Sequence, residues 1–283
     1  MTREIVNKIF NKLAEAEQPL PQSLEFYRRL LAIQAKVEPS MPAHLLSLTE
    51  TEVSQHLRQG KPLLIWDNLA LDWGEVLVLF EEVTSLIVEK LSPDSEEIEE
   101  PNQVATDQVS LEAMAKTWFE VGIPLSESPA RDKEIKPLIA GTIYATLQPF
   151  LSAYSEKLLP RINQELWHRR YCPVCGGEAD FAFLDKERGA RWLLCSRCDA
   201  EWLFYRLGCP YCGNQNHHSL AYFSDDKGLY RLYVCEQCRR YLKSIDLRKT
   251  ESEILLPLER ILTLDMDRQA GEMGYKVGRN FAL

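Results

Sequence analysis

Cys172-Pro-Val-Cys-Gly176, followed after a strand-like stretch by Arg191-Trp-Leu-Leu-Cys-Ser-Arg-Cys198, is repeated as Cys209-Pro-Tyr-Cys-Gly213 and then Arg231-Leu-Tyr-Val-Cys-Glu-Gln-Cys238. All eight cysteines of the chain fall here, as the C-x-x-C pairs Cys172/Cys175, Cys195/Cys198, Cys209/Cys212 and Cys235/Cys238. The order is pair, long gap, pair, short gap, pair, long gap, pair. That is the spacing of two ribbon sites, each built from two knuckles. A tetrahedral metal takes four thiolates at ~2.3 Å. A C-x-x-C turn brings two sulfurs to one point and turns backbone N–H groups toward them. Gly176 and Gly213 supply the positive φ that a tight knuckle wants, and Pro173 and Pro210 stiffen its first step. The strands between the pairs form a hairpin that carries the second knuckle back to the first. Two similar units in tandem imply two similar structures side by side.

Cys172, Cys175, Cys195, Cys198, Cys209, Cys212, Cys235 and Cys238 are therefore the candidate ligands of two metal ions. Four thiolates suit zinc and equally a rubredoxin-type iron. Zinc would be structural, whereas iron could cycle or be structural. Small β modules lack a sufficient core and take a metal as a staple, so stabilising the fold is the plain role of all eight thiols. A reducing cytosol favours metal over disulfides for clustered pairs. His217 and His218 follow Cys212 closely, but each site already has four sulfurs, so they are expected as loop residues.

N-terminal to this region, residues 1 to about 160 read as helices. Ile5, Ile9 and Leu13 recur at helical spacing, as do Leu24, Tyr27, Leu30 and Leu31. Thr49 followed by Glu52 looks like a capping box, opening a helix that stops near Gly60. Val76, Leu79, Phe80, Val83, Leu86 and Ile87 form a wide apolar stripe. Residues 92–103 are acidic, contain Pro93 and Pro101, and read as an exposed loop. Residues 111–121 and 138–159 are further helices, the second expected to bend near Pro149. After Pro160 the composition shifts to cysteine, aromatics and arginine. Strands are expected at 181–184, 191–194, 221–223 and 229–234, with one more at 244–247, and a last helix at 258–274. The fold class is α+β: an all-α N-terminal domain (1–165), two tandem rubredoxin-like or zinc-ribbon β modules (166–206 and 207–250), and a C-terminal helical tail (251–283). A chain of 283 residues accommodates such a division.

The formal net charge is -9. Residues 161–249 hold 15 Lys+Arg and 11 Asp+Glu, a balance of +4, which leaves -13 for the rest. An acidic body with a mildly basic cysteine region argues against a general nucleic-acid binder. Trp192, Trp202, Tyr205, Tyr211, Tyr222, Tyr230 and Tyr233 should mostly pack within the ribbons. A few exposed ones would form a partner surface, or, with Arg197, Arg206, Arg239 and Arg240, a base-stacking face. The start of the chain lacks a signal-like apolar run, and the apolar run 76–80 meets Glu81 and Glu82 at once, so no membrane span is expected. A cytoplasmic location is therefore expected. The chain shows no P-loop, G-x-G-x-x-G, G-x-S-x-G or H-E-x-x-H motif, and the thiols are committed to metal, so no enzyme activity is expected.

Tyr171-Cys-Pro-Val-Cys-Gly-Gly177, Leu194-Cys-Ser-Arg-Cys-Asp-Ala-Glu-Trp202, Arg206-Leu-Gly-Cys-Pro-Tyr-Cys-Gly213 and Val234-Cys-Glu-Gln-Cys-Arg-Arg-Tyr-Leu-Lys243 resemble the formate dehydrogenase accessory protein FdhE family. Leu264-Asp-Met-Asp-Arg-Gln-Ala-Gly-Glu-Met-Gly-Tyr275 is similar to that family's tail, although the chain ends Gly-Arg-Asn-Phe-Ala-Leu where an Asn-Pro pair is expected. The resemblance implies a cytoplasmic maturation factor. Members are needed for active formate dehydrogenase, contact its catalytic subunit before export, and bind iron in rubredoxin-like sites. The eight cysteines would be the ligands, and the catalytic subunit the partner. Two other readings stand beside this one: a redox protein acting in maturation of a molybdenum or tungsten oxidoreductase, and a nucleic-acid-binding ribbon protein.

Overall fold

The computed structural model describes residues 3–39, 41–89, 107–121 and 137–278. The acidic stretch 92–103 lies outside them. Helix α1 (Arg3–Glu15) buries Val6, Ile9 and Leu13, and α2 (Gln22–Gln34), entered from Pro21, buries Leu24 and Leu31. A short α3 (Ala43–Leu46) precedes α4 (Glu50–Gln59). The capping box of α4 is formed: Thr49 Oγ1 accepts the Glu52 N–H at 3.2 Å, and Glu52 Oε2 accepts the Thr49 N–H at 2.7 Å. Gly60, at φ 73, ends the helix in the left-handed region open to glycine. Next come α5 (Trp73–Val88), capped by Asp72, α6 (Gln108–Val121) and α7 (Pro137–Leu158), which contains Pro149. Helix α7 is buried along most of its length and packs against α5.

Among the described residues six strands follow: β1 (Ala179–Leu184), β2 (Arg191–Cys195), β3 (Glu201–Phe204), β4 (Leu220–Ser224), β5 (Tyr230–Cys235) and β6 (Arg240–Asp246). They form one sheet in the order β3-β2-β1-β6-β5-β4. Each repeat is an antiparallel meander, and the two are joined by parallel pairing of β1 with β6. The tandem modules therefore share a single sheet. Strand β3 carries no sequence signal because four residues are too few to show alternation; Trp202 and Phe204 hold it by burial. Strand β6 starts four residues before the expected 244, because its charges have partners: Arg240 pairs with Glu178 at 3.6 Å and Lys243 with Asp267 at 2.7 Å.

The expected single helix at 258–274 is two, α8 (Leu256–Leu262) and α9 (Leu264–Glu272). The buried Lys243 ammonium donates to the carbonyls of Arg260 (2.9 Å) and Thr263 (3.4 Å), and a cation at a helix C-terminus stabilises such a stop. The break lets the two pieces serve different cores. Leu258 of α8 joins Ile9, Leu13, Leu24 and Leu31 of α1 and α2, whereas Ala270 of α9 joins Leu232, Val234 and Tyr241 of the sheet. The main core is continuous from α4–α7 through Trp167 and Tyr171 into the first cysteine cluster and Trp202, and on to Cys209, Tyr211, Cys235 and Leu242 of the second repeat. Among the described residues, no helix is long and apolar enough to cross a membrane.

Candidate metal centres

Each repeat folds its four cysteines together by the same backbone device. The Cys172 N–H donates to Gly177 O at 2.8 Å and the Gly176 N–H to Cys172 O at 3.0 Å; the Cys209 N–H donates to Asn214 O at 2.8 Å and the Gly213 N–H to Cys209 O at 3.0 Å. Gly176 and Gly213 have φ of 75° and 78°. The residues after the other two knuckles, Asp199 and Arg239, also take positive φ, at 55° and 54°. This left-handed step is uncommon for a side-chain-bearing residue, and sequence reasoning passed it over because neither is glycine.

The Sγ atoms of Cys172, Cys175, Cys195 and Cys198 all lie within 4.8 Å of one another, as do those of Cys209, Cys212, Cys235 and Cys238. Across the knuckles the separations are 3.5 Å (Cys175–Cys195), 3.6 Å (Cys172–Cys198 and Cys209–Cys238) and 3.7 Å (Cys212–Cys235). A tetrahedron with ~2.3 Å metal–sulfur bonds has edges of about 3.8 Å. A disulfide needs ~2.05 Å. The geometry therefore fits two metal ions and does not fit disulfides. Backbone N–H groups point at sulfur in both: Val174 to Cys172 at 3.3 Å, Arg197 to Cys195 at 3.4 Å, and Tyr211 to Cys209 at 3.4 Å. Such donors favour the thiolate form. His217 and His218 sit exposed in a 3-10 turn and belong to neither cluster.

Site one is sealed. All four of its cysteines are buried. Backbone bonds clamp its first knuckle to the helical half, Leu63 N–H to Pro173 O at 3.0 Å and Leu64 N–H to Val174 O at 2.8 Å. Arg197, inside the second knuckle, is fully buried, and its guanidinium donates to Phe119 O and Trp118 O, both at 2.9 Å, while lying over the Trp118 ring at 4.3 Å. It cannot reach a nucleic acid there. Its positive charge sits beside the sulfurs and would offset the negative charge of a metal tetrathiolate there. Asp199 continues the clamp: it accepts Gln148 Nε2 at 2.6 Å and Ser152 Oγ at 3.3 Å from α7, and Arg260 Nη1 at 2.5 Å from α8. Gly177 leaves space for this packing, since a Cβ there would lie 2.9 Å from Arg197 Cδ. Burial pushes the Cys172 and Cys198 thiols up, so without a cation the cluster resists taking full charge.

Site two is half open. Cys209 and Cys235 are buried, but Cys212 and Cys238 are partly exposed. Its second knuckle carries Gln237, exposed, where site one has Arg197. Burial raises the Cys209 thiol to about 11. Against its burial, bonds from the Cys238 backbone and the Asn214 side chain hold Cys235 down to about 7. Buried Arg191 joins the sites by donating to Tyr205 O and to Gly208 O, the latter at 2.5 Å, in the loop between the repeats.

Residues 171–206, the first unit, match the family described as "FdhE, central domain". The "Protein FdhE homolog" of Aquifex aeolicus (strain VF5) is 29% identical over 279 residues, covering 96% of this chain and 93% of the relative. "Protein FdhE" of Shigella boydii serotype 4 is 26% identical over 281 residues, covering 95% and 86%. The crystal structure of the FdhE protein from Pseudomonas aeruginosa superposes with a TM-score of 0.62 at 21% identity, over 99% of this chain and 94% of that one, and so shares the fold. With named relatives matched along nearly the whole chain and two cysteine foursomes gathered on one sheet, this chain is similar to the FdhE proteins over nearly its full length.

Proposed function

We propose that this chain is a cytoplasmic, non-catalytic accessory factor for the formation of active formate dehydrogenase, binding the enzyme's catalytic subunit through its metal-ribbon sheet. In this reading Cys172, Cys175, Cys195 and Cys198 hold one metal ion, and Cys209, Cys212, Cys235 and Cys238 hold another. Each ion is iron or zinc. The observation that carries the reading is the similarity to FdhE proteins over 96% of the chain. The sulfur geometry supports it, because metal bound in closed four-sulfur sites holds a folded surface and leaves no thiol free as a nucleophile. When bound, the metal supplies folding energy to its ribbon.

The test is anaerobic affinity purification of the tagged protein from its own host. The catalytic subunit of formate dehydrogenase is expected to accompany it, and a Cys195→Ser/Cys198→Ser variant to lose it. Absence of that subunit from the wild-type preparation would overturn the reading. A second reading, electron transfer during maturation, draws on the partial exposure of Cys212 and Cys238. It requires a reversible Fe(III)/Fe(II) couple in the purified protein, and zinc in both sites would end it.

A further inference from the structure

The sheet's two edges are finished differently. At β3 the side chain of Gln164 caps the outer backbone: the Leu203 N–H donates to Gln164 Oε1 at 3.2 Å, and Gln164 Nε2 donates to Glu201 O at 3.4 Å. At β4 no such cap exists among the described residues. The bonds from the Glu236 N–H to Ser219 O (2.9 Å) and from the Asp225 N–H to Tyr230 O (3.2 Å) fix which residues face β5. Alternation then turns Ala221 and Phe223 toward β5 and leaves the N–H and C=O of Tyr222 and Ser224 pointing away from the sheet. The side chains are open too, with Tyr222 53% and Phe223 49% exposed. Folded proteins normally blunt such an edge, because it templates pairing with another chain.

The internal repeat shows what fits there. Leu220 lies opposite Cys235 as Ala179 lies opposite Cys195, so β4 corresponds to β1. The outer edge of β1 is covered by β6, running parallel from Phe181↔Lys243 to Leu184↔Asp246. In the second repeat the equivalent strand is missing among the described residues. Charge narrows the occupant. Arg206 is exposed beside β4, has no acidic partner among the described residues, and lies between exposed Tyr205 and Leu207. A cleft of about 80 Å³ lined by Arg206, Leu207, Tyr211, Leu220 and Tyr222 reaches Cys209 and Cys235 of site two. The nearby acids are engaged, Glu178 with Arg240 and Asp246 with Arg231 and Arg248, while Asp225 and Asp226 lie beyond the strand in its turn.

We infer that β4 is the docking edge for the client: an extended segment of the formate dehydrogenase catalytic subunit adds as a strand parallel to β4, with apolar side chains against Tyr222 and Leu207 and a carboxylate on Arg206. Main-chain bonds supply the affinity and alternate side chains the selectivity. This rests on the functional reading above.

Ser224→Pro removes an outward N–H that β5 does not use, so the hairpin keeps its bonds. Ser224→Ala controls for the side chain. The purified catalytic subunit is titrated onto full-length, metal-loaded protein, and hydrogen exchange is followed over residues 219–225 with and without it. Ser224→Pro is expected to weaken binding about tenfold, equivalent to ~1.4 kcal/mol. Ser224→Ala should bind as wild type, Arg206→Glu should bind several-fold more weakly, and the β4 amides should become protected in the complex. The exchange readout uses wild type alone, so it decides the matter even if Ser224→Pro misfolds. A folded, metal-replete Ser224→Pro that binds normally, or protection only elsewhere, overturns the docking edge and leaves the functional reading intact. Failure of wild type to bind the subunit sinks that reading, and the docking edge with it. A wild-type dimer split by Ser224→Pro, with β4 unprotected by the subunit, gives the edge to a second copy and also overturns the proposal.

Discussion

Around the first cysteine cluster, α4–α7 close over the sulfurs, and Arg197 ties the second knuckle to the carbonyls of Phe119 and Trp118. Around the second, the same knuckle geometry stands at the rim of the sheet, with Gln237 exposed where Arg197 would be and two of four sulfurs partly exposed. The two clusters have one backbone design and two environments. Burial binds site one to the stability of the whole molecule, because all four of its cysteines are buried in the main core, whereas site two enters that core through Cys209 and Cys235 and leaves Cys212 and Cys238 partly exposed at its margin. One arrangement of four cysteines is thus a keystone in one place and a partly accessible surface element in the other.

The largest effect that separates them is loss of a ligand. Cys195→Ser is expected to remove a metal from the main core and to destabilise the entire chain, drawing on a binding free energy on the order of 10 kcal/mol. Cys238→Ser should cost site two its metal yet leave the helical half melting as in wild type. Thermal denaturation followed by circular dichroism, with metal counted by mass spectrometry, compares the two; equal collapse in both variants would break the distinction.

Next in size is Arg197→Met. It leaves two buried carbonyls without donors, so a loss of about 3 kcal/mol is expected in chemical denaturation. Gln237→Met, at the matching exposed position, should shift stability by less than ~0.5 kcal/mol.

Accessibility sharpens the contrast kinetically. A chelator should withdraw one equivalent of metal quickly and the other slowly, and alkylation should mark Cys212 and Cys238 before any cysteine of site one. Simultaneous loss would show that opening is global. The pH dependence follows from the thiols. Cys209 is held at about 11 without metal and must give up its proton to bind, so site two's affinity should fall at least about tenfold for each unit of acidification below neutral. Metal titrations at stepped pH would read this, and a flat profile would contradict it.

The smallest effect concerns the left-handed steps. Arg239→Gly relieves the backbone at φ 54° but gives up the half-exposed contacts of its guanidinium with Met273 O, Glu236 and the Tyr275 ring, and the two effects should leave stability changed by less than ~1 kcal/mol. Asp199→Gly at φ 55° relieves the same strain but loses the bonds to Gln148, Ser152 and Arg260, and should be clearly destabilising.

The grouping of the eight cysteines, the helical nature of the N-terminal half and the capping box at Thr49 are legible from residue order, because each is local chemistry at fixed spacing. Gly176 and Gly213 announced their positive φ for the same reason, while Asp199 and Arg239 hid theirs behind ordinary side chains. The fusion of the two repeats into one sheet through β1 and β6 emerges only on folding, since strand pairing across about sixty residues leaves no local mark. Folding likewise buries Arg197, which reads as a surface cation, under α6, and sets the Lys243 ammonium at the break between α8 and α9. The repeat predicts two equal sites. Their inequality comes from what the rest of the chain packs against: long-range contacts with the helices assign burial to one cluster and leave the other at an open edge.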